Sequence, residues 1–257
     1  MIAVLSPAKT LDYATPLPAS IEPTAPRLGA EAETLAQGAA KLSKSRLGAL
    51  MHISDKLAAL NVDRFRGFAE QPERPALYAF AGDVYSGFEA RTLEEPAIAF
   101  AQDHVRILSG LYGLLRPLDA MRPYRLEMGT RWAPGRAKDL YGWWQDRIAD
   151  LLASDIAAEG SGTILNLASQ EYWRAVAGKL PAGVRIIEVD FREPGPDGPR
   201  FVSFHAKKAR GMMARWMCEH HIADAEAMRG FDSAGYRFDA AASEADRWTF
   251  VRSGEAS

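Results

Sequence analysis

Met1-Ile2-Ala3-Val4-Leu5-Ser6-Pro7-Ala8-Lys9-Thr10 begins with five apolar residues and is then stopped by Ser6-Pro7. A short unbroken apolar run ended by a turn signal suits a strand buried on both faces. Working outward from it, further strands are predicted at Ala76 to Ala81, Val105 to Leu108, Thr163 to Leu167, Val184 to Phe191, Phe201 to His205 and Trp248 to Val251. Gly195-Pro196-Asp197-Gly198 is turn chemistry, so Val184 to Phe191 and Phe201 to His205 read as a hairpin. Helical spacing begins at Ala30 and recurs over Lys44–Leu50, Asp55–Phe68, Glu94–His104, Asp139–Ala158 and Ala206–His221. Thr15 to Pro26 and Arg116 to Gly135 read as loops. Helices and strands interleave with no repeat and no low-complexity linker. The expected result is one mixed α/β domain over residues 1–257, with a central mixed sheet and surrounding helices.

The chain has 257 residues, with 31 Lys+Arg against 33 Asp+Glu and 47% hydrophobic residues. That balance excludes a collagen-like, disordered or disulfide-stapled chain. A net charge of −2 also excludes a protein that holds nucleic acid by bulk charge, though not one with a local basic site. Cys218 is the one cysteine, which suits a reducing compartment. With no signal-peptide pattern and no apolar run near the ~18 residues of a membrane span, a soluble, cytoplasmic protein without membrane contact is expected.

The sharpest local feature is Leu50-Met51-His52-Ile53-Ser54-Asp55-Lys56-Leu57-Ala58, set between two helical patterns within residues 44–68. A helix-hairpin-helix element has a comparable order. There a tight turn exposes the first amides of the second helix, and these grip a nucleic-acid phosphate with help from the helix dipole. Ile53 would pack inward, Ser54 would cap the second helix and Lys56 would add positive charge. His52 and Ser54 stand where glycines are usual in such turns. An ordinary corner between two helices with a serine cap fits the same nine residues.

Charge is segregated along the chain. From His104 to Lys138 there are seven basic residues (Arg106, Arg116, Arg122, Arg125, Arg131, Arg136, Lys138) against Asp119 and Glu127. Lys207, Lys208, Arg210 and Arg215 follow without an acid, whereas Glu219 to the end holds eight acids against four arginines. If the basic segments converge they form an anion groove, with Tyr112, Tyr124 and Trp132 for stacking. If they do not, they are separate solvated faces.

Other polar groups sit at predicted strand ends, where α/β enzymes place their sites. They are Lys9 after the first strand, Asp83 after Gly82, and Asn166, Glu171 and Tyr172 around Ser169, with Lys207 as a second cation. They allow an alternative reading, an enzyme for an anionic small molecule or nucleotide, and they equally suit turns and caps. There is no P-loop, because the glycine run is absent. Cys218, His220 and His221 cluster without metal-ligand spacing, so neither a metal nor a cofactor is expected.

Taken together, several stretches resemble the YaaA family of bacterial peroxide-stress resistance proteins. They include Leu5-Ser6-Pro7-Ala8-Lys9-Thr10-Leu11-Asp12-Tyr13, Ile53-Ser54-Asp55-Lys56-Leu57-Ala58, Gly82-Asp83-Val84-Tyr85 and Leu108-Ser109-Gly110-Leu111-Tyr112-Gly113. Leu115-Arg116-Pro117-Leu118-Asp119, Pro123-Tyr124-Arg125-Leu126-Glu127-Met128-Gly129, Asn166-Leu167-Ala168-Ser169 and Ala206-Lys207-Lys208-Ala209-Arg210-Gly211 complete the set. The resemblance runs to about residue 239. It implies protection from peroxide tied to lower free intracellular iron, a positive cleft, a helix-hairpin-helix element and binding to duplex or locally opened DNA without sequence specificity. Carried onto this chain, the element falls on His52, Ser54 and Lys56. Charge adds Lys9, Arg106, Arg116, Arg125, Lys207, Lys208 and Arg210 as the expected lining of the groove. No reaction and no oligomeric state follow.

Overall fold

The computed structural model describes residues 1–18 and 20–253. In chain order the elements are β1 (Ile2–Leu5), α1 (Gly29–Ala40), α2 (Lys44–Met51), α3 (Asp55–Arg66), β2 (Arg74–Pro75), α4 (Ala76–Ala79), α5 (Asp83–Phe88) and α6 (Glu95–His104). Then come β3 (Val105–Ser109), β4 (Gly113–Leu115), β5 (Ala120–Met121), α7 (Leu140–Trp144), α8 (Arg147–Glu159), β6 (Thr163–Leu167) and α9 (Gln170–Trp173). β7 (Arg185–Arg192), α10 (Ser203–Glu219), β8 (Tyr236–Phe238) and β9 (Arg247–Arg252) follow.

Seven strands form one mixed sheet in the order β4-β3-β1-β6-β7-β9-β8. Its five inner strands run parallel, and β4 and β8 close the two edges antiparallel. β1 pairs on both sides, Ala3 with Val105 and with Leu165, and all four of its residues are buried. The apolar run at the start of the chain is therefore a central strand, as a two-faced buried strand should be. β2 and β5 form a separate two-stranded pair.

α10 lies across α5 with no room for side chains. A Cβ placed on Gly211 would lie 1.8 Å from the Val84 carbonyl oxygen, and one on Gly87 would lie 2.1 Å from that of Lys208. Glycine is required at both positions because the obstacle is backbone, which cannot swing aside. This crossing fixes the start of α10 beside the loop that follows β1.

Three expected elements differ. Phe201 to His205 is not a strand: Val202 is the N-cap of α10, and Glu193 bridging Arg200 is all that remains of the hairpin. β7 instead pairs with β6 and β9, so its sheet edges are already taken. Ala76 to Ala81 is mostly one turn of helix, because a short apolar run carries no period that separates helix from buried strand. The long helix from Asp139 breaks at Gln145, whose φ of 48° is left-handed. The break lets buried Trp144 donate its indole N–H to the Gly110 carbonyl at 3.0 Å. Beyond residue 240, β9 is an integral strand, while the last four residues of the acidic tail lie outside the described residues.

Candidate nucleic-acid interface

α2 and α3 form a tight helical hairpin. Ser43 caps α2 by accepting from the Arg46 amide at 3.2 Å. His52 ends α2 in the left-handed region, φ 51° and ψ 49°, which is the conformation a glycine would supply most cheaply. The Ile53 amide donates back to the Gly48 carbonyl at 3.1 Å, and Ile53 packs on the core. Ser54 caps α3 by accepting from the Leu57 amide at 3.4 Å. Gly48 faces Ala58, and this lets the two helices approach closely.

The first turn of α3 is exposed at Ser54, Asp55 and Lys56. First-turn amides have no acceptor within their own helix, so those of Asp55 and Lys56 face outward. Asp55 places a carboxylate at the same end, and Lys44 answers it at 2.9 Å. Residues 41–66 hold six basic side chains (Lys41, Lys44, Arg46, Lys56, Arg64, Arg66) against two acids, Asp55 and Asp63. Lys41, Arg46 and Lys56 are exposed and have no carboxylate partner among the described residues. Sequence reasoning singled out Lys56 but not Lys41, Lys44 or Arg46. A legible signal was there: no acid occurs from Thr34 to Ser54.

The basic stretch 104–138 divides in two. Arg106 is buried, with only 6% of its surface exposed, and bonds Asp155 at 2.5 Å and the carbonyls of Gln102 and Val105. Asp155 also takes both terminal nitrogens of Arg27. Burial pushes the Asp155 carboxyl upward, but the two guanidinium groups outweigh it, and its pKa lies below the ordinary carboxylate value. Arg116 is clamped on fully buried Asp119, Arg122 on Glu73 and Arg125 on Glu127. Arg106 and Arg116 therefore serve the fold, and the lining of a groove falls to other residues. Arg131, Arg136 and Lys138 are exposed and have no carboxylate partner among the described residues. Between them, Pro134 and Trp132 pack on Gly38 of α1, three residues before Lys41. This contact brings the second half of the stretch toward the helical hairpin.

The other expected site residues gather where β1 and β6 end. Glu127 Oε1 receives Arg125 at 3.0 Å and Lys9 at 3.4 Å, while its Oε2 is buried without a partner. Lys207 stands 3.9 Å from Asp83. The Asn166 amide donates to both carboxylate oxygens of Glu188 at 2.9 Å, and its oxygen accepts from Ala168. Glu171 accepts from the Gly129 amide at 2.9 Å. Burial raises Tyr172 well above the usual phenol range and lowers Arg210, which sits in the field of Asp190 and Glu188. Lys208 is exposed. Ser169 stands at the start of α9, but its amide donates to Ser6 Oγ at 2.8 Å and its hydroxyl makes no cap. Next to this cluster, a cleft of about 640 Å³ runs between Thr10–Asp12 and α5, and Asp83 lines it.

Among the described residues no group of three or more His, Cys, Asp or Glu is placed to hold a metal ion. Cys218 is fully buried, and burial pushes its thiol pKa up, away from the thiolate that reacts with peroxide. No helix among the described residues is long and apolar enough to cross a membrane.

Fold and surface together define an α/β protein with a central mixed sheet and a cationic helical hairpin at its side. The chain belongs to the YaaA family: a family model described as peroxide stress protein YaaA matches residues 1–242. Relatives cover nearly the whole chain. A UPF0246 protein of Rhizorhabdus wittichii is 64% identical over 252 residues, 98% of this chain and 99% of its own length. UPF0246 proteins of Paracidovorax citrulli and Neisseria meningitidis serogroup B are 47% and 46% identical, each over 98% of both chains.

Proposed function

We propose that this peroxide stress protein binds DNA through the phosphate backbone at the α2–α3 hairpin. One observation carries the reading: exposed Lys41, Arg46 and Lys56, none held by a carboxylate among the described residues, lie on or next to the hairpin whose second helix begins with open amides. Backbone amides and cations recognise phosphate without reading sequence, so binding is blind to sequence and sensitive to salt. Arg131, Arg136 and Lys138 extend the contact. Bound protein shields DNA against iron-driven oxidation.

Anisotropy of a labelled duplex over a salt series tests it. Lys56→Glu lowers affinity and makes the slope of log K against log salt shallower by about 0.9. Equal affinity and slope in the variant count against the hairpin.

A second reading draws on Glu127 Oε2, buried and unpartnered beside Lys9 and Arg125 at the end of β1. A cluster with one open acceptor and two cations suits a small ligand bearing both a donor and an anionic group, and hence an enzyme acting on an anionic small molecule or nucleotide. Calorimetry with nucleoside monophosphates on the wild type and Lys9→Ala decides it. Heat that is absent, or equal in both, removes this reading.

A further inference from the structure

A cleft of about 300 Å³ lies against α3, lined by Tyr13, Leu60, Asp63, Arg64 and Gln71 among others. That volume is at the small end of ligand sites and suits a single ring system. Two of its lining residues are left unexplained by the fold. Leu60 keeps 43% of its surface exposed at the rim. Arg64 is half-buried, and among the described residues it makes neither a hydrogen bond nor an ion pair. Partial burial lowers its pKa, while its nitrogens keep contact with the open cleft. Facing the cleft without a protein acceptor, the guanidinium is available to a group from outside. Tyr13 adds an aromatic ring whose hydroxyl is tied to the Met121 carbonyl at 2.6 Å.

The position of the cleft indicates which group. Lys56, Leu60, Asp63 and Arg64 recur at i, i+4, i+7 and i+8, so they share one face of α3. At about 1.5 Å per residue, Leu60 lies about 6 Å and Arg64 about 12 Å along the axis from Lys56. Successive nucleotides of one strand rise about 3.4 Å. The cleft is thus two to four nucleotide steps, roughly, from a phosphate at the start of α3.

We infer that this cleft receives a single unstacked nucleobase from the strand whose phosphate is held at the start of α3. Arg64 and Tyr13 offer planar surfaces for stacking, Leu60 fills the gap the base leaves, and Asp63 and Gln71 face its polar edge. The inference rests on the DNA reading above and adds the ligand of a site which that reading does not use.

Three duplexes of one sequence test it: fully paired, with one extra unpaired adenine, and with an abasic nucleotide at the same extra position. The unpaired adenine binds about tenfold more tightly than the paired duplex, and the abasic site loses most of that gain. Arg64→Lys keeps the charge but loses the plane, and it brings the ratio close to one. Leu60→Ala, at an exposed position that folding tolerates, lowers the ratio about threefold. Equal affinity for the adenine and abasic forms overturns the base pocket and leaves duplex binding standing. So does a ratio unmoved by both substitutions. Failure of all three duplexes to bind overturns the DNA reading and the pocket with it.

Discussion

Two regions of this molecule are rich in basic residues, and they use them in opposite ways. Along 104–127, Arg106, Arg116, Arg122 and Arg125 each meet a carboxylate in the fold: Asp155, Asp119, Glu73 and Glu127. Around the α2–α3 hairpin, Lys41, Arg46 and Lys56 stay exposed without such a partner among the described residues. Density of charge along the chain is a property of sequence. Availability of charge is a property of space, since an acid 49 residues away can neutralise Arg106. The first region is bound up with stability and the second is free for a ligand.

The largest expected effect comes from breaking the internal pairs. Asp155→Asn leaves buried Arg106 and half-buried Arg27 without their counter-charge. Chemical denaturation should show a loss of about 3 kcal/mol, while DNA affinity per folded molecule holds. A change below about 0.5 kcal/mol would mean that these arginines are less committed to the fold than their geometry indicates.

Acid sharpens the same contrast. The Asp155 pKa lies lower in the folded state than in the unfolded chain, so its stabilising contribution is complete above about pH 4. It is lost as pH falls through the folded-state value. The midpoint of thermal unfolding should therefore fall more steeply below about pH 4 in the wild type than in Asp155→Asn. Parallel acid profiles would contradict this.

The hairpin should respond in the other way. Arg46→Glu is expected to weaken duplex binding about tenfold near physiological salt, roughly 1.4 kcal/mol, with no more than about 0.5 kcal/mol of stability lost. The smallest effect concerns the turn. His52 holds a left-handed conformation that costs a side-chain-bearing residue about 1 kcal/mol, so His52→Gly should stabilise the protein by about 0.5 kcal/mol after the entropy of glycine is counted. Destabilisation would show that the His52 side chain carries a contact of its own.

Much of the sheet was legible because its strands announce themselves locally. Thr163–Leu167 needs no adjustment, Val105 to Leu108 gains one residue at its C-terminal end, Trp248 to Val251 gains one at each end, and β1 is buried on both faces as its composition requires. Phe201 to His205 was misread because an apolar pair at a helix start looks like a strand until the sheet edge it would need is seen to be occupied. The turn between α2 and α3 was legible in its order, including the serine cap, and His52 holds its left-handed position. Which arginines are free was not legible, because the neutralising partners of Arg106 and Arg122 lie at Asp155 and Glu73, distant in sequence. Lys41 and Arg46 escaped notice because three cations in six residues make a weak signal until folding exposes them on one hairpin.

The most direct test is the salt dependence of duplex binding in two substituted proteins. One carries Lys41→Gln, Arg46→Gln and Lys56→Gln together; the other carries Arg122→Gln and Arg125→Gln. The first should show a slope of log K against log salt shallower by about 2 to 3, and the second a slope like the wild type's. A wild-type slope in the first, or an equal loss in the second, would contradict the assignment of the interface to the α2–α3 hairpin.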